Sequence, residues 1–196
     1  MISEIRTTIK QGDEKFIFND KDLDINILNF WQWSASDILT NRQRGILAEY
    51  IIASALDLTK QPREEWDAYD LITNDGLKIE IKSAAYIQSW EQKNYSKISF
   101  GIQPTVIWEG NKRKTEKVRQ SDVYIFCLLE HKDAETINPM DLSQWKFFII
   151  DTNTINCKVG EQKTINLSSL ERLNPNIVRY DEILNVIQQF IKVKNG

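Results

Sequence analysis

The sequence predicts an α/β fold, a sheet covered by helices. Three observations predict it: an alternating hairpin at Tyr69–Ser83, an amphipathic helical stretch at Thr40–Leu58, and strand and helix patterns from Ser121 to the C-terminus. With 196 residues, 41% of them apolar, and no linker, repeat or low-complexity tract, residues 1–196 read as one domain with a full core.

Taken in order, the first stretch of note is "FWQWSASDIL", a candidate partner surface. The tryptophans in general, Trp31, Trp33, Trp108 and Trp145 among them, are expected in the core or at sheet edges rather than as base-stacking platforms. "TNRQRGILAEYIIASALDL" (Thr40 to Leu58) places Ile46, Leu47, Tyr50, Ile51 and Leu56 at helical spacing, as in a helix packed on a sheet. Gly45 and Glu49 share one stripe of that helix. A helical glycine costs roughly 0.5–1 kcal/mol against alanine, so Gly45 predicts a close approach to a neighbour. Glu49 falls at the edge of the buried face, where a carboxylate needs a partner or a metal.

"YDLITNDGLKIEIKS" (Tyr69 to Ser83) reads as a hairpin whose loop is Asn74-Asp75-Gly76, with Gly76 at the position requiring positive φ. That loop pairs Thr73 with Leu77 and so predicts Asp70 directly opposite Glu80, their Cβ atoms roughly 4.5–5.5 Å apart. Lys82 shares their face by the two-residue period of a strand, while Tyr69, Leu71, Ile79 and Ile81 take the core side. A two-residue loop would move Asp70 to the opposite face. Two facing carboxylates repel. A solvated strand face with Lys82 as an exposed ion-pair partner is one reading, but such a pair contributes only about 0–1 kcal/mol. A divalent cation is the other, because Mg²⁺ takes oxygen ligands from one or two carboxylates together with phosphate and water.

These pieces together resemble the PD-(D/E)XK nuclease superfamily, the restriction-endonuclease-like and Holliday-junction-resolvase-like fold. "RGILAEY" matches its first helix with an acidic residue, "YDL" the first motif acid, "EIK" the E-x-K, and "SDVYIFCLL" the following core strand, over about Arg42 to Leu129. The resemblance implies a restriction-endonuclease-like central mixed β-sheet flanked by α-helices. Carried onto this chain, it makes Asp70 and Glu80 the metal ligands and Lys82 the catalytic lysine. Glu49 becomes a ligand of the same or a second metal, through water. The implied activity is a Mg²⁺-dependent endonuclease hydrolysing DNA phosphodiester bonds, with Mn²⁺ as substitute and a restriction or defence role. A catalytically inactive nuclease-fold module that binds nucleic acid or another partner is the alternative. The chain departs from the family in two places. Tyr69 stands where the motif has proline, and Asp57 to Glu65 leaves little room for the strand that usually precedes the acid. Asp67 competes for the acid's role, and Asp70 is preferred because it alone faces Glu80 in the predicted register.

Charge argues mildly against nucleic acid, with a formal net charge of −3 and a pI near 5.4. One stretch is locally basic. "EGNKRKTEKVRQ" carries Lys112, Arg113, Lys114, Lys117 and Arg119, either as a solvated hairpin tip or as a loop contacting the phosphate backbone. In "KSAAYIQSWEQKNYSKISFGIQ" an unbroken strand gives Gln88 the parity of Glu80 and Lys82, so Gln88 is a candidate for positioning phosphate or water, with a second strand at Ile98–Ile102.

The tail offers a strand in "QWKFFIIDT", a short helix in "NLSSLERL" and an amphipathic helix in "RYDEILNVIQQFIKV". Cys127 is expected buried and Cys157 free, and a single histidine, His131, argues against a His-based zinc site or triad. No run approaches a membrane span and "MISEIRTTIK" lacks a secretory core, which predicts a cytoplasmic protein. One active site per chain acting on both strands of a duplex predicts a homodimer.

Overall fold

The loop chemistry of Asn74-Asp75-Gly76 sets the edge of the central sheet. Gly76 adopts φ +79°, Thr73 N–H donates to Leu77 O at 3.0 Å, and Leu71 pairs with Ile79 and Ile72 with Lys78, as the three-residue loop requires. The computed structural model describes residues 7–63, 68–109 and 112–196, and the side chains of residues 108, 109, 112 and 113 lie outside the described residues.

The chain starts with a hairpin, β1 (Lys15–Phe18) and β2 (Lys21–Asn26), followed by helix α1 (Ile27–Ala35). Helix α2 (Asn41–Ala55) is capped by Thr40, whose hydroxyl accepts from Gln43 N–H at 3.3 Å. The hairpin strands β3 (Leu71–Ile72) and β4 (Lys78–Ala85) follow, with no strand between α2 and β3 among the described residues. Then come β5 (Ser99–Gly101), β6 (Thr105–Glu109), β7 (Lys112–Val118), β8 (Val123–Leu129) and β9 (Trp145–Asp151). Helix α3 (Thr152–Val159), β10 (Thr164–Asn166), α4 (Leu167–Glu171), β11 (Asn176–Val178) and α5 (Ile183–Asn195) complete the described elements.

The result is a mixed five-stranded sheet in the order β11-β9-β8-β4-β3, in which only β4 and β8 run parallel. Strand β8 is buried along its whole length, as a central strand covered on both faces must be. Alternation splits the sheet into two cores. One face puts Ile79, Ile81, Ile125, Cys127 and Phe147 against α2 and α5. The other puts Ala84, Tyr124, Phe126 and Phe148 against Phe100, Ile155, Ile165 and Leu170 from β5, α3, β10 and α4.

Three expectations are corrected. Helix α2 buries Arg44, Ala48, Ile51, Ile52 and Ala53; of the expected residues Ile51 is buried and Leu47 and Leu56 pack partly against the core, but Tyr50 is 60% exposed, because small residues let the helix lie against β4. A Cβ at Gly45 would meet nothing within 4 Å, so close approach does not explain that glycine. Strand β4 ends at Ala85, so Gln88 does not inherit the parity of Glu80 and Lys82.

Asp122 ties the hairpin to the rest. Its carboxylate accepts Lys78 N–H at 2.8 Å and Lys194 Nζ at 2.6 Å, while Lys194 also reaches Gly76 O at 2.7 Å. The loop of the β3–β4 hairpin is thereby pinned to α5. Burial pushes the Asp122 carboxyl up, but the Lys194 and Lys78 hydrogen bonds outweigh it and hold the acid below its usual range. Cys127 is buried and Cys157 exposed, both free. No helix among the described residues is long and apolar enough to cross a membrane.

Candidate active site

The short edge strand leaves β4 with backbone groups that β3 cannot pair. Asp70 satisfies one of them. It sits one residue before β3, its N–H donates to Ile79 O at 3.0 Å, and its Oδ2 accepts Ile81 N–H at 2.6 Å. Asp70 and Leu71 therefore both stand against Ile79, the two-against-one pattern of a bulge. The predicted register holds through Leu71 and breaks at Asp70, so the two acids are not a directly paired couple. Asp70 lies at the edge of β4, and its Oδ1 accepts no hydrogen bond among the described residues.

Glu80 and Lys82 project from β4 on the face of Tyr124 and Phe126, their partners on β8. Lys82 Nζ donates to Glu80 Oε1 in a short ion pair. Glu49 comes from α2, on the opposite face, and is gripped by Arg63, with Nε at 2.5 Å from Oε2 and Nη2 at 3.0 Å from Oε1. The four predicted residues thus gather around the free edge of β4, and Arg63 joins them. Nothing in the spacing of "KQPREEW" pointed to Arg63. Its role depends on a loop folding back onto α2.

Three acids face two cations here. Burial pushes the Glu80 carboxyl above its ordinary range, the charges of Asp70 and Glu49 push the same way, and Lys82 opposes them without prevailing. Burial likewise raises Glu49, with Asp70 adding to it and Arg63 and Lys82 opposing. Tyr124, beside Glu80, is pushed up to about 12 by burial and by that neighbour, so its hydroxyl stays protonated at neutral pH. Among the described residues no three His, Cys, Asp or Glu side chains form a ready-made metal cluster. The donors fit a hard divalent cation in kind, as carboxylates with raised pKa near unsatisfied charge, but Glu49 and Glu80 are turned to their own cations.

A cleft of about 630 Å³ opens beside this group. Glu49, Asp70 and Arg63 line it together with Ile46, Tyr50 and Tyr69. Lys78 Nζ sits 5.1 Å from the Tyr69 ring centre, a cation–π contact that holds the ring at the cleft wall.

Gln88 does not enter the site. Its Oε1 accepts from Arg44 Nη1 at 3.0 Å and its Nε2 donates to Ala85 O at 2.9 Å and to Ser96 Oγ at 3.1 Å. Its amide is therefore spent on holding a turn and a buried arginine. In the basic stretch, β6 and β7 pair with Glu109 opposite Lys112, as a hairpin tip should. Lys114 and Lys117 are exposed, the side chains of Lys112 and Arg113 lie outside the described residues, and so does Asp67. Arg119 is structural: buried, it donates to Ile102 O at 2.7 Å, Asn156 Oδ1 at 2.7 Å and Gly160 O at 2.8 Å.

Residues 3–169, more than four-fifths of the chain, match the family described as bacteriophage T4 endonuclease IV. The chain belongs to that family. The endonuclease IV match makes it a nuclease, and the matched span holds Glu49, Arg63, Asp70, Glu80 and Lys82. No curated protein matches the chain.

Proposed function

We propose that this endonuclease IV family member is a Mg²⁺-dependent endonuclease of PD-(D/E)XK type that hydrolyses DNA phosphodiester bonds, with Mn²⁺ able to substitute. The observation that carries the reading is the gathering of Asp70, Glu80, Lys82 and Glu49 at the free edge of β4, with two of the acids pushed above their usual range. A mixed sheet with the acid hairpin at its edge and α2 across it suits a restriction-endonuclease-like arrangement. All four side chains are present, which favours turnover over an inactive binding module.

Asp70 and Glu80 would hold the metal, with Glu49 beside it acting through water. When bound, the cation lowers the pKa of a water and offsets charge on the phosphate. The chain's own residues do the rest. Water attacks phosphorus in line with the leaving oxygen, the new P–O bond forming as the old one breaks and the leaving oxygen taking up a proton. Lys82 Nζ, which pairs with Glu80 here, would hydrogen-bond the attacking water or the pentavalent oxyanion if Glu80 held the metal. Arg63 pairs with Glu49 and opposes the rise that burial gives its carboxyl. The cleft walled by Tyr50 and Tyr69 accommodates the nucleoside flanking the cut, and Lys112, Arg113 and Lys114 at the β6–β7 tip meet the phosphate backbone.

The test is cutting of duplex, single-stranded and branched DNA, and of RNA, with Mg²⁺, with Mn²⁺ and with chelator. DNA cleavage that needs the metal and disappears in Lys82→Ala is expected. Equal cleavage in chelator would overturn the metal dependence, and cleavage confined to RNA would overturn the substrate.

A further inference from the structure

The N-terminal β1–β2–α1 unit presents an apolar surface that the other described residues do not cover. Of the eighteen exposed large apolar residues among those described, ten lie between Ile9 and Trp33, including Phe16, Ile17, Phe18, Phe30, Trp31 and Trp33. Helix α1 buries no residue, and β1 and β2 are exposed almost throughout. Trp33 is 85% exposed and Ile17 68%. The expectation that Trp31 and Trp33 pack in the core or at a sheet edge is therefore corrected, since both lie exposed on α1.

Such a unit is not self-sufficient. A lone two-stranded hairpin is marginal in water, and so is a nine-residue helix. Within the unit, Ile27 N–H and Leu28 N–H donate to Glu14 O and Gly12 O at 3.0 Å, and a Cβ at Gly12 would stand 3.6 Å from Leu28 and Trp31, so the helix lies close over that glycine. Those contacts set the angle between helix and hairpin without hiding the aromatic residues. At roughly 150–250 Å² for a large apolar residue, the ten exposed fractions, five aromatic and five aliphatic, leave on the order of 1,000 Å² open in total over both sides of the hairpin and α1. The largest patch on a typical monomer is about 300–600 Å². A standard interface takes about 800 Å² from each partner.

We infer that this face is the self-association surface of the protein, closed in solution by the same face of a second copy. Three features select that occupant. The summed exposed apolar area of the unit matches what one partner gives a two-fold interface, and the face is rich in Phe and Trp, as the buried centres of interfaces are. Its charges disfavour phosphate ligands, since residues 7–35 carry five acids (Asp13, Glu14, Asp20, Asp22, Asp24) against three lysines. Those charges are also self-complementary: Lys15 already pairs Asp24 at 3.5 Å within one copy, and two-fold symmetry can set the lysines of one hairpin against the aspartates of the other. The unit also touches the helix that carries Glu49, through Gln43 Nε2 to Ser34 O at 3.1 Å, so pairing it would fix the two active sites relative to each other.

Sedimentation equilibrium of the full chain tests the assignment. A two-chain mass is expected for the wild type, with a melting temperature that rises with protein concentration, as it must when association and folding are linked. The double variant Phe18→Glu, Trp33→Glu should fall to a one-chain mass while keeping a cooperative melt. Wild-type protein that stays at one-chain mass with a concentration-independent melting temperature overturns the inference, as does a folded double variant that keeps the two-chain mass. If the variant fails to fold, the wild-type mass and its concentration dependence decide alone. None of these readouts uses DNA cleavage.

Discussion

Arg63 grips Glu49 with two arms of its guanidinium, Nε to Oε2 and Nη2 to Oε1, across fourteen residues of sequence. The contact joins the loop after α2 to the helix and opposes, without cancelling, the burial that raises the largely covered Glu49 carboxyl at the mouth of the cleft. Arg63→Ala should lower stability by roughly 1–2 kcal/mol, more than an exposed pair because Glu49 has little water to replace its partner. Urea unfolding in chelator measures it. A loss that also appears in Arg63→Ala combined with Glu49→Gln, undiminished, would show that the pair is not its source.

Asp70 has two duties, which its substitutions separate. Asp70→Ala orphans Ile81 N–H and should cost about 1–3 kcal/mol, whereas Asp70→Asn keeps an acceptor for that N–H and should unfold close to wild type. Both should lose metal binding and cutting. Equal stability of the two variants would remove the backbone role.

Glu49 should hold metal less directly than the β4 acids. Glu49→Gln is expected to retain Mn²⁺ binding by calorimetry while cutting far more slowly, and Asp70→Asn to lose both. Cutting by Glu49→Gln at the wild-type rate would reduce the "RGILAEY" match to a helix pattern.

The metal-free protein should become more stable, through these groups, as the solution is made mildly acidic. Glu49 and Glu80 both titrate above their ordinary value of 4.5 in the folded state, so their contribution is full below 4.5 and is lost as pH rises through the folded values. Glu80→Gln, which mimics the protonated form, should flatten that slope and raise stability in chelator at neutral pH. Mg²⁺ affinity should run the other way, weakening on acidification because protons compete for the same oxygens. Chelator melts across pH with wild type and Glu80→Gln settle the sign.

Gln88→Ala should cost stability and spare chemistry. Arg44 is 3% exposed, its Nε has no hydrogen-bond partner among the described residues, and burial already lowers its pKa. Removing the Gln88 acceptor leaves Nη1 with Leu39 O at 2.9 Å as its one acceptor and one of its N–H groups unsatisfied, at about 1–3 kcal/mol. The cutting rate of folded enzyme should stay at the wild-type level. A lost rate with unchanged stability would return Gln88 to the active site.

What could be read from the sequence was what neighbouring residues decide. Asn74-Asp75-Gly76 sets the register by φ at one glycine, alternation in "KIEIK" puts Glu80 and Lys82 on one face, and the unbroken apolar run at β8 marks a strand covered on both sides. The tertiary structure decided everything that depends on distant parts of the chain meeting. Asp70 left its expected place opposite Glu80 because β3 is too short to satisfy Ile81 N–H, and its carboxylate does so instead. Arg63 found Glu49, Arg44 captured Gln88, and Arg119 turned inward, each by a contact between residues far apart in sequence. Local spacing carries no record of such contacts. The N-terminal aromatic residues make the same point in reverse: their apolarity predicts burial, but only the placement of β1, β2 and α1 reveals that the described residues leave them uncovered.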